Sequence, residues 1–272
     1  MKNCPERVKD STHKKRKIMK SLYKQILINR ESKKKMLAVL LDPDRCQGKL
    51  MSSTIAALKL SVPDFVFVGG SYVNSPIDSF IELLKEEVQI PVVLFPGNAS
   101  QFSPKADALL FLSLISGRNP EFLIGQHVTS ALAIKQSGIE VISTGYILID
   151  GGKVSAVEYM SHTRSIPREK KEIVLATAIA GELSGHHIIY LEAGSGALQP
   201  VPKELVNYVT SRLSIPVIVG GGIKTTQNLE DCFDAGADIA VVGNAFEENP
   251  NLITEFVNFT EEYNRKPNFS FI

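Results

Sequence analysis

An acidic side chain lies next to a run of small residues in the stretch YLEAGSG, residues 190–196. A carboxylate beside a loop suited to an anion is unfavourable unless it has a separate task. The task that fits Glu192 is to accept a proton from a substrate hydroxyl. Tyr190 lies two residues earlier and on the same face of a strand. Its hydroxyl either hydrogen-bonds the same substrate or belongs to a core aromatic residue whose polar end is wet.

Two more glycine-rich turns follow apolar runs, VGGGIKT at 219–225 and VVGNAF at 241–246. Such turns expose backbone N–H groups, and a helix N-terminus adds a favourable dipole for an anion. One turn alone is explained by tight strand-to-helix packing, whereas two at neighbouring strand ends favour a phosphate site. The predicted phosphate donors are Gly221, Gly222, Gly243 and Asn244, with Ser195 and Gly196 closing the site from the first turn.

Oxygen ligands for a metal end the first two apolar runs, LDPD at 41–44 and VGGS at 68–71. Mg²⁺ takes one or two carboxylates and fills its shell with water and substrate phosphate oxygens. We therefore predict that Asp42 and Ser71 hold a Mg²⁺ ion that arrives with a diphosphate. Asp44 is predicted to cap the following helix instead.

Eight nearly continuous apolar runs position these residues, as is typical of parallel strands buried on both faces. Helical stretches separate most of them, such as 75–88, with Ser75 as the N-cap, and 225–236, which ends on a glycine suited to a left-handed C-cap. This rhythm predicts an α/β fold, a (β/α)8 barrel whose site lies at the C-terminal ends of the strands. The runs are 36–42, 64–70, 91–97, 108–114, 141–149, 187–194, 216–222 and 239–245.

The rhythm breaks once, because only the ten residues NASQFSPKAD, 98–107, separate the third and fourth runs. That is too short for a crossover helix and its two loops, and Pro104 disfavours a long helix there. The barrel is therefore modified, with an irregular segment in place of the outer helix after strand 3. The gap either opens a path for a long thin ligand or is a deletion covered by other side chains or a second subunit.

The N-terminal region differs from the rest of the chain in charge. Residues 1–17 include KKRK at 14–17 and are predicted to be a basic, flexible arm. Residues 18–272 are predicted to form a single barrel domain. Within it, residues 18–30 form an amphipathic helix with basic flanks, packed under the barrel or in peripheral contact with a membrane.

Composition restricts the function classes. Hydrophobic residues make up 44% of the 272, and the three cysteines have no metal-ligand spacing. Neither a signal peptide nor an apolar run of bilayer length is found. We therefore expect a reduced, cytoplasmic protein with no nucleic-acid partner. A strand lysine for Schiff-base chemistry is absent, as is any convincing Ser-His-Asp or Cys-His pattern.

Taken in order, the strand ends LDPD, VGGS, FPGN, YLEAGSG, VGGGI and VVGNAF resemble the geranylgeranylglyceryl phosphate synthase family, which includes heptaprenylglyceryl phosphate synthases. The resemblance runs from about residue 36 to about residue 260. It implies a modified (β/α)8 barrel and a Mg²⁺-dependent, homo-oligomeric enzyme. That enzyme would transfer a polyprenyl group, here expected to be geranylgeranyl, from its diphosphate to the C3 hydroxyl of sn-glycerol 1-phosphate, in the first ether-lipid step.

The same resemblance implies roles for individual residues. Asp42 and Ser71 match its metal site, and Glu192 and Tyr190 its catalytic positions. Many members carry a lysine where this chain has Leu40, so Arg45 or Lys49 is a candidate replacement; the LLDPD form resembles a second subgroup. The glycerol phosphate loop and clamp would comprise Tyr190, Leu191, Glu192, Ala193, Gly194, Ser195, Gly196, Gly221, Gly222, Gly243 and Asn244.

Two other classes of function stay open from the residues alone. Isomerases and FMN-dependent oxidoreductases also use glycine turns after strands 7 and 8 of this barrel. A non-catalytic lipid- or phosphate-binding relative is the other alternative, indicated by Leu40. Prenyl chain length depends on side chains that block the groove, for which the candidates are Tyr72, Phe102, Phe111 and Tyr146.

Overall fold

Eight parallel strands close into a barrel in which each strand pairs with its neighbours in chain order and β8 pairs with β1. The computed structural model describes residues 21–266. The predicted (β/α)8 barrel is therefore confirmed. Its strands are Met36–Leu41 (β1), Phe65–Val68 (β2), Val92–Leu94 (β3), Ala108–Leu114 (β4), Glu140–Leu148 (β5), Ile188–Glu192 (β6), Val217–Gly220 (β7) and Ile239–Val242 (β8).

Both faces of the strands are buried, which is why the runs are apolar without alternation. In β6, Ile189 and Leu191 pack in the outer layer beneath the helices. Ile188 and Tyr190 pack in the barrel interior. Because side chains alternate along a strand, Glu192 shares the inner face and ends at the mouth of the barrel.

Helices surround the barrel except after β3. They are Leu22–Glu31 (α1), Gly48–Leu60 (α2), Ile77–Glu87 (α3), Gln126–Ser137 (α4), Ala156–Ser161 (α5), Lys171–Leu183 (α6), Lys203–Thr210 (α7), Thr226–Asp234 (α8), Asn244–Glu248 (α9) and Leu252–Arg265 (α10). Between β3 and β4 the described chain forms only a short 3₁₀ turn, Ala99–Gln101. The irregular segment predicted in place of a helix is confirmed.

Helix α1 closes the N-terminal end of the barrel. The Glu140 carboxylate at the start of β5 accepts hydrogen bonds from the backbone N–H groups of Leu22 (2.7 Å) and Tyr23 (3.0 Å). Ile26 packs among the apolar residues of the barrel interior. The predicted amphipathic helix thus begins at Leu22, while its residues 18–20 and the predicted basic arm 1–17 lie outside the described residues.

Two local capping predictions are wrong. Asp44 does not cap α2; its carboxylate accepts from the backbone N–H groups of Asn74 (2.9 Å) and Ser75 (2.7 Å), so it fixes the loop after β2. Pro76, not Ser75, precedes α3, and no side chain accepts a hydrogen bond from its first turn. The C-terminal prediction for α8 is confirmed by Gly236, whose φ of 97° is left-handed.

No helix within residues 21–266 combines the length and the apolar character needed to cross a bilayer.

Candidate active site

A cavity of about 460 Å³ opens at the C-terminal ends of the strands. It is lined both by glycine turns and by apolar side chains from β4, α4 and the segment after β3. Most of the predicted site residues meet there: Asp42, Ser71, Tyr190, Glu192, Ser195, Gly196, Gly221, Gly222, Gly243 and Asn244 all line it. Leu191 does not, because its side chain points into the outer layer. Ala193 and Gly194 do not line it either, although the Gly194 backbone N–H donates to the Glu192 carboxylate.

Glu192 is buried at the end of β6, with 6% of its surface exposed. Its Oε1 accepts a hydrogen bond from the backbone N–H of Gly194 at 2.7 Å. Burial raises the pKa of this carboxyl to about 7, against the opposing effects of the Gly194 N–H and the Tyr190 hydroxyl. A carboxylate with a pKa near neutrality suits a group that takes up a proton during a reaction.

The glycines after β7 make room for that carboxylate. Gly221 has a φ of 80°, which L side chains rarely adopt, and a Cβ there would collide with Glu192 Oε1. A Cβ at Gly220 would lie 2.9 Å from Glu192 Oε2. Gly222 also has a positive φ, 70°, and a Cβ there would meet the backbone of Gln199 and Pro200. The glycine pattern therefore marks close approach to the buried acid as well as a turn.

Tyr190 is completely buried beneath Glu192. Its ring stacks on Phe95 with centroids 5.2 Å apart and lies 5.3 Å from the ring of Tyr146. The Tyr190 hydroxyl has no hydrogen-bond partner that meets normal geometry among residues 21–266. Burial and the neighbouring Glu192 charge hold the pKa of Tyr190 well above its ordinary value. A neutral phenol therefore lies beside the acid, close enough to lower the pKa of Glu192 but without a well-aligned hydrogen bond to it.

Asn244 draws the turns after β6 and β8 together. Its side-chain Oδ1 accepts from the Gly196 backbone N–H (2.7 Å) and from the Ser195 hydroxyl (3.2 Å). These two donors, predicted to face a phosphate, are thus bound to Asn244 in this arrangement. Helix α9 beyond Gly243 has only five residues, so its dipole is small. The loop backbone, rather than the dipole, shapes this corner.

Asp42 lies at a second corner of the mouth, directly after β1, the strand that pairs with β8. Its Oδ1 accepts from the backbone N–H of Asp44 at 2.9 Å, and burial raises the pKa of the Asp42 carboxyl. The turn that carries Ser71 is close, since a Cβ on Gly70 would lie 2.8 Å from Asp42 Oδ2. Among the described residues no group of three or more His, Cys, Asp and Glu side chains could hold a metal. The predicted Mg²⁺ ligands here, one carboxylate and one hydroxyl, are a set that the ion would complete with water and phosphate oxygens.

Arg45 supplies positive charge at this corner. Its Nη1 lies 3.0 Å from Glu247 Oε2, and its Nε lies 3.8 Å from Asp42 Oδ2. Of the two cations considered as replacements at Leu40, Arg45 lines the cavity and Lys49 does not. No local pattern in the sequence predicts the role of Glu247, because this residue lies 202 positions from Arg45 along the chain.

An apolar branch of the cavity leaves the barrel through the gap after β3. Leu109 and Phe111 on the outer face of β4 line it, with Phe102 from the irregular segment and Ile134 from α4. All four groove candidates, Tyr72, Phe102, Phe111 and Tyr146, line the cavity. The gap is therefore open to the mouth rather than closed by neighbouring side chains.

The fold and the site together define a (β/α)8-barrel protein in which a corner of glycine turns around a buried carboxylate is joined to an apolar groove. The model of the PcrB family matches residues 29–260, and the chain belongs to this family. A curated relative from Flavobacterium johnsoniae, a geranylgeranylglyceryl phosphate synthase, is 46% identical over 237 residues, which are 87% of this chain and 98% of the relative. A synthase of the same name from Chitinophaga pinensis is 49% identical over 222 residues, 81% of this chain and 88% of the relative.

The fold is also similar to that of a solved synthase structure. The crystal structure of (S)-3-O-geranylgeranylglyceryl phosphate synthase from Thermoplasma acidophilum, in complex with its substrate sn-glycerol-1-phosphate, is similar to this chain with a TM-score of 0.82. The two chains are 31% identical, and the match covers 90% of this chain and 100% of the other.

Proposed function

We propose that this protein is a prenyltransferase that moves a polyprenyl group from its diphosphate to the C3 hydroxyl of sn-glycerol 1-phosphate. One observation carries the proposal: a single cavity joins a buried carboxylate beside glycine turns to an apolar groove that leaves through the gap after β3. A phosphorylated alcohol fits the first part and a hydrocarbon chain fits the second. The names of the curated relatives and the ligand of the Thermoplasma acidophilum structure support the same activity.

Glycerol phosphate is proposed to bind along the 190–196 loop and the turns after β7 and β8. Its phosphate would contact Gly221, Gly222 and Gly243 through the backbone, near Ser195 and Asn244. The C3 hydroxyl would then point towards Glu192, whose Oε2 is not held by the Gly194 N–H. Tyr190 is proposed to donate its free hydroxyl to the substrate oxygen or to Glu192.

Glu192 is proposed as the general base. The C3 oxygen attacks the allylic carbon, the bond from that carbon to the diphosphate oxygen breaks, and the proton of the C3 hydroxyl passes to Glu192. Since its pKa is about 7, the carboxylate is available at neutral pH and can still hold a proton. Positioning both reactants in one cavity supplies several kcal/mol of the rate enhancement, as an order of magnitude.

Asp42 and Ser71 are proposed to hold Mg²⁺ with the diphosphate. When bound, the ion neutralises the charge that develops on the leaving group. Arg45 lies at the same corner. Its permanent positive charge is proposed to replace the charge of the lysine that many family members carry at the position of Leu40. The donor set of one carboxylate and one hydroxyl supports this role, because Mg²⁺ commonly completes its shell with phosphate oxygens.

The prenyl chain is proposed to lie in the apolar branch between the 98–107 segment and α4. Geranylgeranyl is the proposed group, since it is named in the curated relatives. A homo-oligomer also stays a proposal. It is supported by the outer side of α4 and the turn before it, where Ile124, Val128 and Leu132 are exposed by 59%, 69% and 78%.

A turnover assay tests the proposed function. Purified protein is incubated with Mg²⁺, a ladder of polyprenyl diphosphates and either sn-glycerol 1-phosphate or sn-glycerol 3-phosphate. We expect ether product from the 1-phosphate only, and its loss with EDTA. Binding of glycerol phosphate without turnover at any chain length would instead support a non-catalytic relative. Family membership favours neither an isomerase nor a flavin enzyme.

A further inference from the structure

One carboxylate oxygen connects the two corners of the mouth. Glu247 Oε2, on α9, accepts a hydrogen bond from Arg45 Nη1 at 3.0 Å and another from Asn244 Nδ2 at 3.0 Å. The Glu247 side chain is largely buried, with 17% exposed, and it lines the cavity. No sequence motif assigns a role to this residue.

On one side Glu247 fixes the position of a cation. Arg45 is anchored by this hydrogen bond, which raises the pKa of its guanidinium, and its Nε faces Asp42. An arginine side chain that is already ordered loses less conformational freedom when an anion binds. Glu247 therefore holds Arg45 at the corner proposed for the diphosphate.

On the other side Glu247 fixes the orientation of an amide. Because the Asn244 NH₂ group faces Glu247, its carbonyl oxygen faces the Gly196 N–H and the Ser195 hydroxyl. If the amide were turned over, its NH₂ group would oppose the Gly196 N–H, donor against donor. The carboxylate thus selects the orientation that ties the 194–196 loop to the turn after β8.

We propose that Glu247 is a positioning residue shared by both substrate corners, through Arg45 for the diphosphate and through Asn244 for glycerol phosphate. The proposal rests on the proposed function, which assigns these two ligands. It differs from a purely structural role because it predicts a loss of affinity for both ligands in protein that is fully folded.

The test compares Glu247→Ala with Glu247→Gln. Both substitutions remove the negative charge, so electrostatic repulsion of the ligands changes equally. Only glutamine retains an oxygen that can accept from Arg45 and Asn244. Isothermal titration calorimetry is performed with sn-glycerol 1-phosphate and, separately, with inorganic diphosphate in the presence of Mg²⁺. We expect Glu247→Ala to bind each ligand about tenfold more weakly than Glu247→Gln, the size of one or two lost hydrogen bonds to an ordered group.

Glu248 provides the matched control, because it is exposed on the same short helix. Glu248→Ala and Glu248→Gln should bind both ligands equally well. The number of binding sites per chain reports the folded fraction separately from affinity. If Glu247→Ala does not fold, Glu247→Met takes its place, since it fills similar volume without a strong acceptor.

Equal affinities of the alanine and glutamine variants for both ligands would overturn the proposal. A loss confined to one ligand would overturn the shared role. The turnover of the wild-type protein is measured in the same preparation. If that protein binds both ligands but makes no ether product, the proposed function fails while the role of Glu247 in binding is still decided.

Discussion

Two regions of one cavity are built in different ways. One region comprises the ends of β6, β7 and β8, and the other is the wall formed by β3 and β4. At β6–β8, glycine turns approach so closely that a Cβ at Gly221 would collide with the Glu192 carboxylate. At β3–β4, the chain leaves out a helix, and the outward side chains Leu109 and Phe111 become the lining of a groove. The polar corner thus forms because the glycine backbone after β7 lies close to the Glu192 carboxylate. The apolar groove forms because no outer helix covers β3 and β4.

The two regions also differ in what a substitution should disturb. Changes at β6–β8 act on an acid and on the backbone around it, so they should affect turnover and glycerol phosphate affinity. Changes along the groove act on its shape, so they should affect which chain length is accepted. The following predictions test this separation, from the largest expected effect to the smallest.

Glu192→Gln should abolish turnover, with a loss on the order of 1,000-fold or more, because a positioned base of this kind contributes 10²- to 10⁴-fold. Glycerol phosphate binding should remain largely intact, since glutamine keeps the acceptor for the Gly194 N–H. Product formation and calorimetric binding are measured on the same preparation. Near-normal turnover of this variant would show that Glu192 is not the base.

Gly221→Ala should weaken glycerol phosphate binding by roughly 100-fold, because its Cβ would push against Glu192 Oε1 and the Gly194 backbone. Gly185→Ala is the matched control. Gly185 also has a left-handed φ, 87° against 80°, but nothing lies within 4 Å of its added Cβ. Backbone strain should lower the stability of both variants similarly, whereas contact with the acid should weaken glycerol phosphate binding at Gly221 only.

Ser130→Phe should shift the preferred polyprenyl diphosphate towards shorter chains, with about a tenfold change in relative kcat/KM between the long and short substrates. Ser130 lies on α4 and lines the groove. The neighbouring Thr129 is exposed and does not line it, so Thr129→Phe is the control. The KM for glycerol phosphate should not change. An unaltered chain-length profile would place the prenyl chain elsewhere.

A separate prediction concerns the stability of the fold rather than turnover or binding. The pKa of Glu192 is raised from 4.5 to about 7, so the folded state holds a proton that the unfolded state has lost between these pH values. The free energy of unfolding therefore falls as pH rises through this window, by an amount on the order of 3 kcal/mol. Glu192→Gln should consequently raise Tm by several degrees at pH 8 and little at pH 5.

Calorimetry or circular dichroism at the two pH values measures that shift. Glu248→Gln, on the exposed side of α9, should leave Tm unchanged at both. A Tm difference that does not depend on pH would mean that Glu192 keeps an ordinary pKa in the folded protein.

The elements that depend on residue type and hydrophobic period were predictable from the sequence. Eight apolar runs predicted the strands, and the ten residues between the third and fourth predicted the missing helix. Glu192 was placed at the mouth because alternation along β6 leaves it on the same face as Tyr190. The glycine turns at the ends of β7 and β8 were recognisable because clusters of glycine directly after an apolar run mark tight turns.

Contacts between distant parts of the chain were not predictable from the sequence. Asp44 looks like a helix cap, yet tertiary structure places it against the backbone of Asn74 and Ser75. The Gly196 N–H looked free for a phosphate, yet Asn244 accepts it from 48 residues away. Neither contact follows from local pattern, because each depends on how neighbouring loops meet after the barrel has closed.

A crystal structure with sn-glycerol 1-phosphate and a non-reactive thio-analogue of geranylgeranyl diphosphate tests the central claim most directly. We expect the phosphate at the turns after β7 and β8, the C3 oxygen within hydrogen-bond distance of Glu192, and the diphosphate at the corner of Asp42 and Arg45. The hydrocarbon chain should pass between the 98–107 segment and α4. A C3 oxygen turned away from Glu192, or a chain outside this groove, would contradict the account.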